Sequence, residues 1–400
     1  MNIDPRFQTV INDATSYPYV SEIDRCKACD IVNVMLSAFD GDISTSGNST
    51  NKTARKISVV ASVYDIENWN KSKKKLVELL NWVSGDSFSI SFEKNEKIFD
   101  TFLLATVSTQ KKCITLFSGG LDSLAGAYYN FENEITSDYV GYVNKPEEGT
   151  HQKQLQKFYR KLFSKSGSEI DIRNKYQKPK TFHFQSTRSL LYLSLAISRA
   201  ISNSTKEIRM YENGILSLNP DFGRFTTKTT HPKTIYLYNE LLSSLGYNIK
   251  IVNKFEYRTK GEVIDSMNKD FKGQIKNTFT CGQSRAGTEY KHKGQCGVCI
   301  PCILRKISVS AYDNEQLDST YHVDYGKVKL AQSNYQKDYI NNLGYFEAYV
   351  EAIKKDKIFG HISHNKFNYH NDSDYLLKQK LMFERFADEY ERFEEKYGLR

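Results

Sequence analysis

The chain has 400 residues, of which 39 % are hydrophobic and 13 % aromatic, and its formal net charge is +9. This length predicts two or three domains, and the apolar content excludes a chain that is disordered throughout. No apolar run reaches the ~20 residues of a membrane-spanning helix, and the first residues lack a signal-peptide pattern. We therefore expect a soluble, cytoplasmic protein.

The basic residues crowd two stretches, 153–180 and 272–305. Such clusters are most often solvated faces, and this is the interpretation we favour. The alternative is contact with an acidic partner such as a nucleotide or a nucleic acid.

The first part of the chain, residues 1–110, predicts an accessory domain of the α/β or α+β class. A polar stretch rich in Gly, Ser, Thr and Asn at 41–53 predicts a loop. Alternating and helical apolar spacings then predict a strand, a helix and a strand at 56–64, 71–83 and 88–92.

From Cys113 onward, apolar strands alternate with helical patterns. The predicted strands are 113–117, 138–143, 181–186, 207–211 and 248–252. The predicted helices are 121–130, 151–163, 190–201, 232–245 and 261–271. This rhythm predicts an α/β domain over 111–312, with a parallel sheet covered by helices on both faces. Amphipathic patterns at 330–353 and 375–397 predict a helical C-terminal extension over 313–400.

The joint between the first strand of this domain and its helix reads Ser-Gly-Gly-Leu-Asp-Ser. Glycines let the backbone approach a ligand closely, and backbone N–H groups at a helix start bind anions. The hydroxyl groups can donate to the same anion, and a carboxylate beside a phosphate is typical of a Mg²⁺ site. The joint therefore predicts a Mg-nucleotide site whose residues are Ser118, Gly119, Gly120, Leu121, Asp122 and Ser123.

Seven cysteines, an odd number, argue against a disulfide framework. Four of them have the spacing C-x14-C-x2-C-x2-C, which predicts a closed, structural zinc knuckle at 281–302. Its ligands are Cys281, Cys296, Cys299 and Cys302. Cys26 and Cys29 form a lone C-x2-C pair, which we interpret as structural or incidental.

The Ser-Gly-Gly-Leu-Asp-Ser joint after an apolar strand resembles the signature of the PP-loop ATP pyrophosphatases, which share an adenine-nucleotide hydrolase-like fold. Together with the cysteine spacing, it resembles the 7-cyano-7-deazaguanine synthase (QueC) family over roughly residues 111–310. Thr187-Arg188-Ser189, Glu212-Asn213-Gly214 and the segment 258–262 resemble further elements of that family. Ser189 departs from the family pattern, and His151-Gln152-Lys153 only echoes its Gln-Arg-His element.

The resemblance implies an ATP-dependent carbon–nitrogen ligase with ATP, Mg²⁺ and Zn²⁺ as cofactors. A 7-carboxy-7-deazaguanine-like acid would be adenylated with release of pyrophosphate and then attacked by ammonia. Asp122 would hold Mg²⁺, and Arg188 and Lys260 would hold the phosphates or the substrate carboxylate. His231 is either a base or part of a helix cap.

The segments outside 111–312 are absent from the compact family enzyme. They and the segment 227–232 resemble the QueC-like component (QatC) of the Qat antiphage defence system, which implies protein partners from the same operon and a protein amine as an alternative acceptor. Seven aromatic residues on the predicted tail helices favour docking of such a partner, or else fill the tail's own contact with the core. They are Tyr339, Tyr345, Phe346, Tyr349, Phe383, Phe386 and Tyr390. A regulatory ATP-binding subunit and a tRNA-modifying PP-loop enzyme remain alternatives.

Overall fold

The structure is a computed structural model that describes residues 17–19, 21–46, 54–96, 111–143, 146–163, 170–173, 185–218, 220–222, 228–282, 294–326, 333–362 and 373–398. Within these ranges, no helix is both long enough and apolar enough to cross a membrane.

The N-terminal segment contains two helices and two strands. They are α1 (Glu22–Ser44), β1 (Lys56–Val63), α2 (Ile66–Ser84) and β2 (Ser87–Lys94). The strands β1 and β2 pair in parallel, with Lys56 opposite Ser87. Parallel pairing needs a crossover connection, which α2 provides.

Helix α1 differs from the sequence prediction in two respects. The stretch 41–53 was predicted to be a loop, but Gly41–Ser44 form the last turn of α1, while 47–53 lie outside the described residues. The helix itself was not predicted, because residues 28–36 are all buried. A helix that is buried all round shows no 3.6-residue contrast between apolar and polar positions.

The central sheet has five parallel strands in the order β5-β4-β3-β6-β7. Its strands are β3 (Cys113–Leu116), β4 (Ser137–Tyr142), β5 (Ile170–Arg173), β6 (Glu207–Met210) and β7 (Lys250–Asn253). The helices between them are α3 (Leu121–Glu132), α4 (Pro146–Phe163), α5 (Arg188–Ser202), α6 (Gly214–Leu218) and α7 (Pro232–Ser244). The predicted α/β class with a helix-covered parallel sheet is thus confirmed; the finer PP-loop assignment stays a prediction.

Two details of this region differ from the sequence prediction. The predicted helix 261–271 is two helices, α8 (Lys260–Asp265) and α9 (Lys269–Lys272). They separate because Asn268 accepts from the backbone N–H of Phe271 and starts a new helix. The edge strand β5 was not predicted, and the predicted strand 181–186 lies mostly outside the described residues.

The C-terminal part contains three long helices, α10 (Ile300–Ser310), α11 (Ser333–Lys354) and α12 (Tyr375–Tyr397). Short 3₁₀ helices occupy Ile275–Asn277, Glu315–Leu317 and Ile358–Gly360. The seven tail aromatics are all buried, each with at most 7 % of its surface exposed. They fill contacts within the chain, so they lend no support to a docking surface.

Candidate functional site

The Ser118–Ser123 loop joins the central strand β3 to α3, at the carboxyl end of the sheet. Gly119 has φ +81°, and a Cβ there would lie 2.8 Å from Cγ of Gln152. Ser118 Oγ accepts from Gly120 N at 3.2 Å, and Ser123 Oγ donates to Gly120 O at 2.9 Å. The glycine and both hydroxyl groups therefore hold this loop in a tight turn. Ser118 is exposed, whereas Asp122 and Ser123 are buried.

A cavity of about 280 Å³ opens beside this loop, and we call it the sheet-edge cavity. Ligands of open parallel sheets bind in this position, beyond the carboxyl ends of the strands. The residues that line it include Ser118, Ser123, Val140, Tyr142, Arg188, Tyr192, Met210, Glu212, Thr229 and Thr230.

Asp122 lies at the centre of a buried polar network. Its Oδ2 pairs with Nζ of Lys260, and its Oδ1 accepts from Nδ2 of Asn213 at 3.1 Å. The structure thus brings two predicted site residues, Asp122 and Lys260, into direct contact. Neither is part of the cavity lining, whereas their neighbour Glu212 is. A buried carboxylate and ammonium in contact neutralise each other, which offsets the cost of removing them from water.

The sequence predicted Glu212 only as part of a Glu-Asn-Gly loop. In the structure, Glu212 lines the sheet-edge cavity and its carboxyl group has Asp122 as a neighbour. Loss of water around it, and then the negative charge of Asp122, raise the pKa of Glu212 to about 8. Asn253 fixes its backbone, since Nδ2 donates to Glu212 O at 2.8 Å and Oδ1 accepts from Glu212 N at 3.0 Å. Its position directly after strand β6 was the signal that sequence reasoning could have used.

Arg188, the first residue of α5, also lines the sheet-edge cavity. Its Nη1 donates to Oε1 of Gln185 at 3.1 Å, and its guanidinium lies 5.9 Å from the ring centre of Tyr192. The cavity lining therefore includes a cation, Arg188, and a carboxyl group, Glu212.

The two histidines raised by the sequence have structural contacts. His151 stacks on Phe279, and its Nδ1 lies 2.9 Å from the carbonyl oxygen of Asn277. Nδ1 of His231 accepts from the backbone N–H of Lys233 at 3.1 Å and so caps α7. Of the two interpretations of His231, the helix cap is the one that this geometry favours.

Gln152, beside His151, does contact the loop. Its Nε2 donates to Ser118 O at 3.1 Å and to Tyr142 O at 3.2 Å. One amide group thereby ties the loop to the end of the neighbouring strand β4.

The four predicted zinc ligands come together in a separate, buried cluster. The Sγ atoms of Cys281, Cys296, Cys299 and Cys302 all lie within 4.8 Å of one another. Backbone N–H groups of Gly282 and Cys299 donate to Sγ of Cys299 and Cys296 at 3.4 and 3.3 Å. Four converging thiols, several of which accept N–H bonds, form a donor set suited to a tetrahedral metal such as zinc. Within the described ranges, this is the one cluster with at least three metal-ligating side chains.

In comparisons with known proteins, no protein-family model matches this sequence, and no curated protein matches it at a significant level. The function must therefore be inferred from the residues and their geometry.

Proposed function

We propose that the chain is an ATP-dependent ligase of the 7-cyano-7-deazaguanine synthase type. It activates a 7-carboxy-7-deazaguanine-like acid by adenylation, releases pyrophosphate and transfers the acyl group to a nitrogen nucleophile, either ammonia or a protein amine. The observation that carries this proposal is the Ser118–Ser123 loop at the carboxyl end of the central strand, opening onto the sheet-edge cavity.

The loop supports nucleotide binding through its backbone and hydroxyl groups. Helix α3 begins at Leu121, and the N–H groups of its first turn and its dipole favour a phosphate. Ser118 and Ser123 line the same cavity and can donate to phosphate oxygens. Arg188, which lines the cavity too, can neutralise the charge that develops as pyrophosphate leaves.

The donor set beside the loop also fits Mg²⁺. Two carboxyl groups, Asp122 and Glu212, are close enough for the charge of one to raise the pKa of the other. Oxygen donors of this kind suit Mg²⁺, and Asp122 and Glu212 would hold it. When bound, Mg²⁺ supplies charge neutralisation on the departing pyrophosphate. Lys260 pairs with Asp122 in its buried position.

The cavity walls support a flat, polar substrate. Tyr142 and Tyr192 pack together at 4.8 Å between ring centres and form an aromatic part of the cavity lining. Aromatic faces stack on heterocycles such as a deazaguanine. The cysteine cluster lies outside this cavity lining, which supports a structural role for its metal. A place in a bacterial antiphage system, with partners from the same operon, follows from the family resemblance.

The test is pyrophosphate release from ATP in the presence of 7-carboxy-7-deazaguanine and ammonia. We expect the wild-type chain to release pyrophosphate, and Asp122→Asn to lower the rate about 100-fold or more. Asp122→Ala should be at least as inactive, but it also leaves Lys260 buried without its partner. The matched control is Asp265→Asn, an exposed aspartate on α8 that pairs with Lys272.

Asp265→Asn should keep the wild-type rate, and circular dichroism should show that each variant is folded. A folded Asp122→Asn variant that releases pyrophosphate at the wild-type rate would contradict the proposed site. A wild-type chain that releases none would contradict the proposed function.

A further inference from the structure

The N-terminal segment contacts the start of helix α5 through a buried aspartate. Oδ2 of Asp42 accepts from the backbone N–H and from the hydroxyl group of Thr187, both at 2.9 Å. Its Oδ1 pairs with Nη2 of Arg55 at 2.5 Å. Among the described residues, the Thr187 side chain makes no capping bond to its own helix. Asp42 therefore fixes the residue that precedes Arg188, the cation of the cavity wall.

The C-terminal helix α12 contacts the start of α8 in a similar way. Oε1 of Glu389 accepts from the hydroxyl group of Thr259, which itself caps α8 by accepting from Glu262 N at 3.1 Å. Gly261 provides the space for this contact, since a Cβ there would collide with the Glu389 carboxyl group. The residue between Thr259 and Gly261 is Lys260, the partner of the loop aspartate.

Helix α12 also supports the other hydrogen-bonding partner of Asp122. That partner, Asn213, precedes Gly214, and a Cβ on Gly214 would collide with Sδ of Met382. Met382 and Glu389 are seven residues apart and therefore lie on the same face of α12. One face of the tail helix thus packs on both segments that supply partners to Asp122.

The carboxyl groups of Asp42 and Glu389 lose their hydration on burial, which costs free energy. Asp42 and Glu389 are 0 % and 1 % exposed. A buried polar group destabilises a protein unless it is hydrogen-bonded, and an apolar residue would pack at lower cost. In both cases the hydrogen bond goes to a threonine directly before a predicted site cation.

We propose that Asp42 and Glu389 are positioning residues for the reaction. Each holds the N-terminus of a helix whose first residue is a site cation, Arg188 in α5 and Lys260 in α8. Asp42 and Glu389 thereby contribute to the site without themselves lining the sheet-edge cavity. This inference rests on the proposed function, because it assigns Arg188 and Lys260 to that reaction.

The Glu389 contact is tested with three variants on α12. Glu389→Ala should lower kcat/KM for ATP about 10- to 100-fold, as loss of an outer-shell partner does. Glu389→Gln keeps an acceptor oxygen for Thr259 and should stay within about 3-fold of wild type. Glu391→Ala, two residues further on and exposed, should match wild type.

A fourth variant distinguishes the positioning role of Glu389 from a purely structural role. Phe393→Ala removes a buried side chain from the same helix, and it should lower the melting temperature while leaving kcat unchanged. If Glu389→Gln is as inactive as Glu389→Ala, or if Phe393→Ala loses kcat in proportion to its stability, the positioning role is overturned.

A second readout does not depend on ATP cleavage. Lys260 is 1 % exposed in its pair with Asp122, so acetic anhydride should label it slowly, as measured by peptide mass spectrometry. Glu389→Ala should increase its labelling rate about 10-fold or more, in line with the loss of an outer-shell partner, and Glu391→Ala should not change it. Equal labelling in Glu389→Ala and wild type would overturn the inference. A wild-type chain that cleaves no ATP would instead overturn the proposed function.

The Asp42 contact is tested at Thr187, because changing Asp42 would also strip Arg55 of a partner. Thr187→Val removes the hydroxyl donor at nearly constant volume and should lower kcat/KM about 10-fold. Thr187→Ser keeps the donor and should retain wild-type activity. Equal activity of the two variants would overturn the role of Asp42.

Discussion

The two flanking segments attach to the rest of the chain through different cores. Buried side chains of α1, β1 and α2 share one hydrophobic cluster with the central strands and with α5 and α7. The helices α11 and α12 instead share a cluster with the four cysteines and α10. The first segment thus shares the core of the sheet domain, whereas the second is built around the candidate metal site.

This difference predicts two distinct sensitivities. Substitutions that loosen the core of the central sheet should also destabilise the N-terminal segment, because the described buried side chains of both regions form one hydrophobic cluster. Stability of the tail should follow metal binding, because a structural metal contributes directly to the folding of the residues around it.

The largest effect is expected from Cys299→Ser. Structural zinc contributes an apparent free energy of about 10–16 kcal/mol in small zinc domains, and removing one thiolate opens the site. We expect about one zinc per wild-type chain, and loss of the metal together with protease-sensitive α11 and α12 in the variant. Metal analysis and limited proteolysis measure this. Cys26→Ser, on α1 and outside the cluster, is the control and should keep its metal. Folded wild-type protein without any bound metal would contradict the account.

Substitutions in the two cores give the next largest effect. Phe386→Ala in the tail core should cost about 3–5 kcal/mol, and Leu79→Ala in the sheet core about 2–5 kcal/mol. A chelator should lower the free energy of unfolding of Leu79→Ala further, because the core around the four cysteines is intact in this variant. In Phe386→Ala the same chelator should add less, because both changes weaken one core. Leu377→Ala on α12 is 57 % exposed and should change stability by less than about 0.5 kcal/mol. Equal chelator effects in both core variants would remove the distinction between the cores.

The smallest effect concerns the pH dependence of the tail contact. Burial, and then the neighbouring charge of Glu262, raise the pKa of Glu389 from 4.5 to about 8. The folded state therefore binds more protons than the unfolded state in this window, and stability is lost as the pH rises from 4.5 toward 8. The glutamine in Glu389→Gln cannot titrate. The free energy of unfolding of this variant, relative to that of wild type, should therefore increase between pH 5 and pH 8.5. Denaturant unfolding at both pH values measures this. A difference that does not change with pH would show that the pKa of Glu389 is not raised.

Much of the sheet domain was predictable because its signals are local. Strand and helix alternate from Cys113 onward, and the loop glycines and the four cysteines are close in sequence. The contacts of Asp42 with Thr187 and of Glu389 with Thr259 span 145 and 130 residues. No local pattern marks a buried carboxyl group as the partner of a distant threonine.

The position of Lys260 shows the same limit at the site itself. The family resemblance predicts contact with phosphates or a substrate carboxylate, and that role remains a prediction. The structure pairs Lys260 with Asp122, which is 138 residues away in sequence. Composition could not decide whether the tail aromatics form a docking surface or a core, because aromatic residues are enriched in interfaces and in cores alike.

The most direct test of the central claim is the identity of the products formed from ATP. Phosphorus-31 NMR follows the wild-type chain with Mg-ATP, 7-carboxy-7-deazaguanine and ammonia. Adenylation at the Ser118–Ser123 loop predicts AMP and pyrophosphate in equal amounts, dependent on the acid. Formation of ADP and phosphate, or ATP that stays unchanged while the protein is folded and holds its metal, would contradict it.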